Sequence, residues 1–403
     1  MSTANGPTPA SCSISSKSRP KAAPSSDKCS ASQGVKSRAS SLQIVRKSTS
    51  TSCPSFCVTM QVSLSMSFGE TQSTLGLMTT LDRLYAPIAD DLAIVEDTLS
   101  LVAQSDFLPL EAMLNQVLSR GGKRLRPAIS LLCGGFGDYD ADTQIPLAAS
   151  IELLHTATLV HDDVIDSADT RRGHVTANAT FGNPASVMLG DYMFAHAAEL
   201  VARTGHIGVI RLFADTLMVM AKGELAQDVS AFDADSGTMR DYYRRIHGKT
   251  ASLFATAGAG GAMMSACDAQ TIDSLREYGR SIGMAFQIVD DILDFCGTEE
   301  QLGKPVGGDL SAGTLTLPAI VLMEDNPDDN PINRFLNARE ENGRGEFLDE
   351  ALEAARQSSI VERCMETVEE WRNRGLDALH AAPTNGPREQ LTAIAEFVTQ
   401  RDF

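Results

Sequence analysis

From Leu81 onward the chain repeats apolar residues every three or four positions. Leu81, Leu84, Ile88, Leu92, Val95, Leu99 and Val102 fall on one helical face, and Leu110, Met113, Leu114 and Val117 begin a second run. That run stops at Gly121-Gly122, and Pro127 suits the first turn of the helix after it. Further periodic segments span 145–165, 185–202, 207–228, 239–266 and 271–295, with short connections between them. The acidic, Pro- and Gly-bearing stretches MEDNPDDNP, from Met323, and ENGRGE, from Glu341, predict surface loops before the last helices. There is no repeat of fixed period and no linker after residue 80. The pattern predicts an all-α protein with one helical domain over 78–403.

Composition agrees with this reading. Of 403 residues, 43% are hydrophobic, enough for a sizeable core, and only 5% are aromatic, which favours helices over sheets. Residues 1–77 are different in kind. They are Ser-rich and lack helical periodicity, and Lys17, Arg19, Lys21, Lys28, Lys36, Arg38, Arg46 and Lys47 face only Asp27 and Glu70. This segment is expected to be a disordered extension, either an organellar transit peptide or sequence ahead of a true start at Met60, Met66 or Met78. The expected location is accordingly cytoplasmic, or a plastid or mitochondrion if the segment is a transit peptide.

The net charge of -18 argues against a nucleic-acid partner, since phosphate backbones are held by an excess of Lys and Arg. It suits anionic partners that arrive with a divalent metal. The eight Cys are scattered without a disulfide framework, which points to a reducing compartment, and Cys53 and Cys57 lack the second ligand pair of a zinc site. No window reaches the roughly eighteen consecutive apolar residues that span a bilayer, so no transmembrane segment is expected.

The chemistry concentrates in a few stretches. In HDDVIDSADTRRG, Asp162 and Asp166 are four apart and share one helical face, with Asp163 about 100° away. A structural helix avoids like charges at that spacing. The arrangement recurs in FQIVDDILDF as Asp290, Asp291 and Asp294, again within an apolar run. Burying carboxylates is costly unless cations compensate them, and carboxylate oxygens suit magnesium, which completes its shell with phosphates and water. Two such helices facing each other would seat a metal-bridged diphosphate. One acidic motif alone would read as a solvated face; two within apolar runs do not. GGKRLRP adds Lys123, Arg124 and Arg126, whose guanidinium and ammonium groups suit phosphate oxygens. Arg171 and Arg172 come after the first acidic motif within three turns of helix, and HGKTASLF supplies Lys249 and Thr250. The GKT there is not a P-loop, because Tyr243 stands where the first glycine would be and no strand precedes it. His155 and His161 are six apart and form no convincing metal pair.

GGKRLRP, LLHTATLVHDDVIDSADTRRG, GKT, FQIVDDILD and GKPVGGDLSAGTLTLP stand in an order that resembles the trans-polyprenyl diphosphate synthases, over about residues 80–400. The resemblance implies the isoprenoid synthase fold, a helical bundle around a deep central cavity, normally a homodimer. It implies that Lys123, Arg126, His155 and Arg172 hold isopentenyl diphosphate, and that Arg171, Lys249, Thr250, Gln287 and Lys304 hold the allylic diphosphate. Asp162 and Asp166 with Asp290, and further Asp163, Asp291 and Asp294, would bind Mg2+, with Asp162, Asp166, Arg171 and Lys249 central to catalysis. One departure is Thr314, where many short-chain members carry a Lys.

By the same analogy, an aromatic one turn before the first acidic motif stops chain growth in short-chain relatives. Here Ala157 and Thr158 are small, so the growing chain should pass them to a deeper floor formed by Met188, Leu189 or Phe194. A medium or long product of about six to ten isoprene units, typical of quinone side-chain precursors, is expected. The rival readings are a geranylgeranyl- or farnesyl-length synthase and a non-catalytic regulatory subunit of a heteromeric synthase. A terpene cyclase would lack the second DDxxD and GGKRLRP, and a calcium scaffold would hold its ligands in loops with a Gly turn.

Overall fold

The computed structural model describes residues 81–400 except 82, 120, 172, 235–236, 299–305, 328 and 339–343. The Ser-rich extension, with Cys53 and Cys57, lies outside the described residues. A 3-10 turn at Ala86–Ile88 leads into α1 (Ala89–Val102), followed by α2 (Leu108–Leu118), α3 (Leu125–Gly134) and α4 (Ala141–Ile165). The start of α4 lies ahead of its periodic segment, because Asp140 caps it by accepting from the Asp142 backbone N–H. A two-residue antiparallel ribbon then pairs Thr170 with Val175 and Arg171 with His174. Arg171 is therefore on a short ribbon, and the helix that carries the first acidic motif ends at Ile165.

Next come α5 (Ala177–Phe181), α6 (Asn183–Arg203), α7 (Ile207–Val229) and α8 (Met239–Ile246). The periodic segment 239–266 is not one helix. It breaks into α8, a π-helical turn at His247–Ala251 and α9 (Ser252–Met264). A π turn inserts an extra residue and shifts the phase of the helix beyond it, which a hydrophobic period cannot register. After α10 (Ala269–Cys296) come the short α11 (Gly308–Ser311), α12 (Leu317–Asp325), α13 (Pro331–Asn337), α14 (Arg344–Ala355), α15 (Ser358–Ala381) and α16 (Arg388–Thr399).

The architecture is all-α apart from the ribbon, and α9 is its axis. Every residue from Ser252 to Ala262 is buried, and α9 packs on α3, α4, α7 and α10. A helix enclosed on all sides needs small residues where its neighbours cross, and SLFATAGAGGAMM supplies them. A Cβ on Gly261 would run into the carbonyl oxygen of Ser130 on α3, and one on Gly258 into that of Leu275 on α10. From the other side, Gly279 on α10 faces the carbonyl oxygen of Phe254. The long α4 and α10 thus flank α9, with α6 covering α4 and α15 covering α10. Each long helix ends in one acidic motif.

Because backbone cannot retreat as a side chain does, Gly279→Ala is expected to destabilise the protein by about 1–3 kcal/mol, the range for overpacking a core. Denaturant midpoints of the two proteins measure this, and an unshifted midpoint contradicts the close crossing.

Candidate active site

The two acidic motifs are unequal in their surroundings. On α4, Asp162 is half-buried, Asp163 is buried and Asp166, the C-cap, is exposed. Asp163 Oδ1 accepts from Arg171 Nε at 2.5 Å. The ribbon after α4 folds Arg171 back onto the acidic motif that precedes it in sequence. On α10, Asp290 is half-buried while Asp291 and Asp294 are buried. Asp291 accepts from Tyr242 at 2.8 Å and, one turn back on its own helix, from Gln287 Nε2 at 2.8 Å. The buried Arg245, donating to the Leu315 carbonyl, adds positive charge behind Asp291. Asp294 Oδ2 accepts from the Asp309 backbone N–H at 3.0 Å, and its carbonyl from Gly307 N–H at 2.7 Å, which ties the GGDLSAG stretch to the end of α10.

The π turn joins the two motifs. Lys249 Nζ lies 3.9 Å from Asp162 Oδ2, and the next residue, Thr250, donates to Gln287 Oε1 at 2.6 Å and so reaches Asp291 through one side chain. Adjacent residues of one turn thus face opposite acidic rows. Lys249 also lies 2.9 Å from Glu224 Oε2 on α7, a residue that sequence alone did not single out. One glutamate among the other charged residues of α7, Arg211, Asp215, Lys222 and Asp228, carries no local signal; only the tertiary contact reveals it. Tyr242, Arg245 and Asp309 were missed for the same reason.

Burial dominates the electrostatics. It pushes the Asp162 carboxyl up to about 7, with Lys249 and Arg171 pulling it down and Glu224 and Asp166 pushing it further up. Burial likewise pushes Asp291 up to about 8, aided by Asp309 and opposed by Gln287, Tyr242 and Arg245. Burial works against the charge on Lys249, yet Asp162 and Glu224 more than offset it and its pKa lies above the ordinary lysine value. Such carboxylates are held near a threshold that a dication would tip towards the ionised form. Among the described residues no three His, Cys, Asp or Glu side chains converge closely enough to enclose a metal. An all-carboxylate donor set that leaves coordination places open fits a hard divalent cation completed by water and phosphate oxygens.

The remaining candidates are more scattered. Lys123 lies 5.0 Å over the Phe397 ring and Arg126 4.4 Å over Phe254. Arg124 does not join them. It has left-handed backbone, φ 48, and turns inward to Glu96 and, at 2.7 Å, to Glu152, so the basic cluster is Lys123 and Arg126 only. His155 is half-buried, and its carbonyl accepts from the Thr158 hydroxyl at 2.7 Å. His161 lies edge-on to Phe194 and 3.0 Å from the Val187 carbonyl, a structural role. Ala157 is buried and Leu189 is in the core, but Met188 is 65% exposed and points away from the interior. Met188 therefore forms no floor within this chain, because one residue of helical rotation separates it from Leu189. Thr314 is buried, its N–H donating to the Asp309 carbonyl at 2.8 Å. Arg172 and Lys304 lie outside the described residues.

The family model for polyprenyl synthetase matches residues 109–354. This chain belongs to the polyprenyl synthetase family. Heptaprenyl diphosphate synthase component 2 of Geobacillus stearothermophilus is 36% identical to it over 80% of this chain and 99% of that protein. Octaprenyl diphosphate synthase of Escherichia coli (strain K12) is 35% identical over 80% of this chain and 99% of that protein. The crystal structure of a polyprenyl synthase from Caulobacter crescentus CB15, complexed with calcium and isoprenyl diphosphate, superposes with a TM-score of 0.74 at 33% identity, covering 80% of this chain and 98% of that one. The fold is the all-α isoprenoid synthase fold, and this family member is a prenyltransferase.

The raised Asp291 carboxyl makes the metal-free enzyme pH-sensitive. Between the ordinary value of 3.8 and about 8 the unfolded chain ionises this group while the folded one keeps its proton. The native state then binds more protons, so stability falls as pH rises through that window. Asp291→Asn is expected to raise the melting temperature of the metal-free protein, more at pH 8 than at pH 5. Calorimetry at the two pH values checks this, and a gain that does not grow with pH contradicts it.

Proposed function

We propose that this family member condenses isopentenyl diphosphate with an allylic diphosphate in trans, repeatedly, to give a medium- or long-chain polyprenyl diphosphate that serves as a quinone side-chain precursor. The observation that carries this is the pair Lys249 and Thr250, adjacent in the chain and directed to opposite acidic rows. That geometry suits a diphosphate lying between the rows. Asp162 and Asp166 with Asp290 are the carboxylates assigned to Mg2+, with Asp163, Asp291 and Asp294 beside them, whose oxygens also accept from Arg171, from Tyr242 and Gln287, and from the Asp309 backbone. Magnesium, when bound, supplies positive charge that stabilises the departing pyrophosphate.

The protein's own residues do the rest. Lys249, Thr250, Arg171 and Gln287, with Lys304, hold the allylic diphosphate, and Lys123, Arg126 and His155, with Arg172, hold isopentenyl diphosphate. The allylic C1–O bond breaks, and its electron pair goes to the pyrophosphate oxygen within reach of the Lys249 ammonium. A preorganised cation there stabilises charge as it develops. The terminal alkene carbon of isopentenyl diphosphate attacks the allylic cation, and the new cation loses a proton to pyrophosphate. No nucleophilic side chain takes part.

Small residues at 157 and 158 support a product of about six to ten isoprene units, with Leu189 and Phe194 as the deeper boundary. Exposed apolar side chains on adjoining helices, Val187 and Met188 on α6 and Met218, Val219 and Leu225 on α7, support a homodimer. The name "component 2" of one relative favours an unlike partner as the second reading. Both acidic rows are present with their partners, which supports a catalytic chain over a regulatory one. Among the described residues no helix is long and apolar enough to cross a membrane. The cytoplasm is the proposed location, or an organelle if residues 1–77 direct the chain there.

Incubating the full chain with farnesyl diphosphate, labelled isopentenyl diphosphate and Mg2+, then sizing the products, tests the proposal; products no longer than about twenty carbons would defeat the chain-length assignment. Asp162→Ala is expected to lower turnover at least about a hundredfold, on the scale of a lost electrostatic stabiliser, and unchanged turnover would remove the metal assignment. Ala157→Phe is expected to shorten the product, read on the same chromatogram.

A further inference from the structure

The Lys249 ammonium is seated on a carboxylate that belongs to neither acidic row. Its Nζ lies 2.9 Å from Glu224 Oε2 and 3.2 Å from Oε1, against 3.9 Å from Asp162 Oδ2. The seat is set by backbone. A Cβ on Gly223 would lie 2.9 Å from the Lys249 backbone nitrogen, and a Cβ on Gly248 would lie 3.1 Å from the Gly223 Cα. Helix α7 and the π turn therefore cross at two glycines in near contact, and the next residue on each, Glu224 and Lys249, is brought face to face.

Two carboxylates compete for one ammonium. Without Glu224, the lysine would turn wholly to Asp162, whose charge it would neutralise and whose oxygens it would cover. A divalent cation would then have to displace it. With Glu224 in place the ammonium stays close to the site while sitting a full ångström further from Asp162 than from its own partner.

We propose that Glu224 is a positioning residue that holds Lys249 off Asp162, keeping that carboxylate open to a divalent cation and the ammonium free to meet a diphosphate. This rests on the reading of Asp162 as a cation-binding carboxylate. It concerns a side chain that touches neither cation nor substrate and acts through the lysine.

The test is Mn2+ uptake by the full chain in the presence of inorganic pyrophosphate, monitored as loss of the free-ion electron paramagnetic resonance signal, which needs no turnover. Glu224→Gln is expected to raise the half-saturating Mn2+ concentration about tenfold, at the low end of what losing an outer partner costs a metal site. Its melting temperature should be unchanged. In the condensation assay the half-saturating Mg2+ concentration should rise in parallel while kcat at saturating Mg2+ is retained, and Glu224→Asp should fall between the two. Uptake by Glu224→Gln equal to wild type, or a fall in kcat with an unchanged metal requirement, overturns the role of Glu224 alone. Wild-type protein that takes up no Mn2+ overturns the reading of the acidic rows instead. Should Glu224→Gln not fold, Glu224→Asp decides: a raised half-saturating Mn2+ supports the proposal and an unchanged one overturns it.

Discussion

The site depends on two consecutive residues that look in opposite directions. Successive residues of a helix already point about 100° apart, and without a π turn Lys249 and Thr250 would keep the phase set by α8. The π turn at His247–Ala251 breaks that phase, so the ammonium lies beside the carboxylate at the end of α4 while the hydroxyl meets Gln287 on α10. The long helices need not touch each other at their acidic ends. They are brought into register by a single turn packed between α7 and α10, with α9 continuing below it as the common axis. The small residues of α9 and the wide turn above it serve one purpose: close approach of backbones below and separation of charges above.

The buried acids carry an energetic burden that the fold distributes. Asp163 faces an arginine, Asp291 a phenol and an amide with a guanidinium behind, and Asp294 the N–H that starts α11. For Asp291 the compensation is partial, since its carboxyl stays above the ordinary value. A buried acid of this kind sets a limit on how stable the protein becomes.

Much of this was legible in the sequence. The three-to-four residue period placed the long helices, and paired DDxxD runs inside apolar surroundings marked the charged ends of two of them. The π turn was not legible, because its insertion leaves the apolar composition of 239–266 intact and alters only phase. Arg124 stood among basic neighbours and read as one of them, yet a left-handed backbone sends its side chain to Glu96 and Glu152. The analogy offers Met188 with Leu189 as a deeper floor, but one step of helical rotation leaves Met188 exposed and Leu189 in the core. Glu224 acquires its meaning only from a crossing of two glycines distant in the chain. What escaped the sequence in each case was the direction of a side chain, which tertiary contacts fix.

Thr158 shows how such a direction can change the character of a side chain. Its hydroxyl is already bonded to the carbonyl of His155, so the oxygen is satisfied along its own helix. To anything sliding past, the side chain offers little more than a methyl group and behaves as valine would. If Thr158 borders the growing product as proposed, an oily tail would brush against a nominally polar residue without stripping water from it, and the lubricated wall would be written as a threonine.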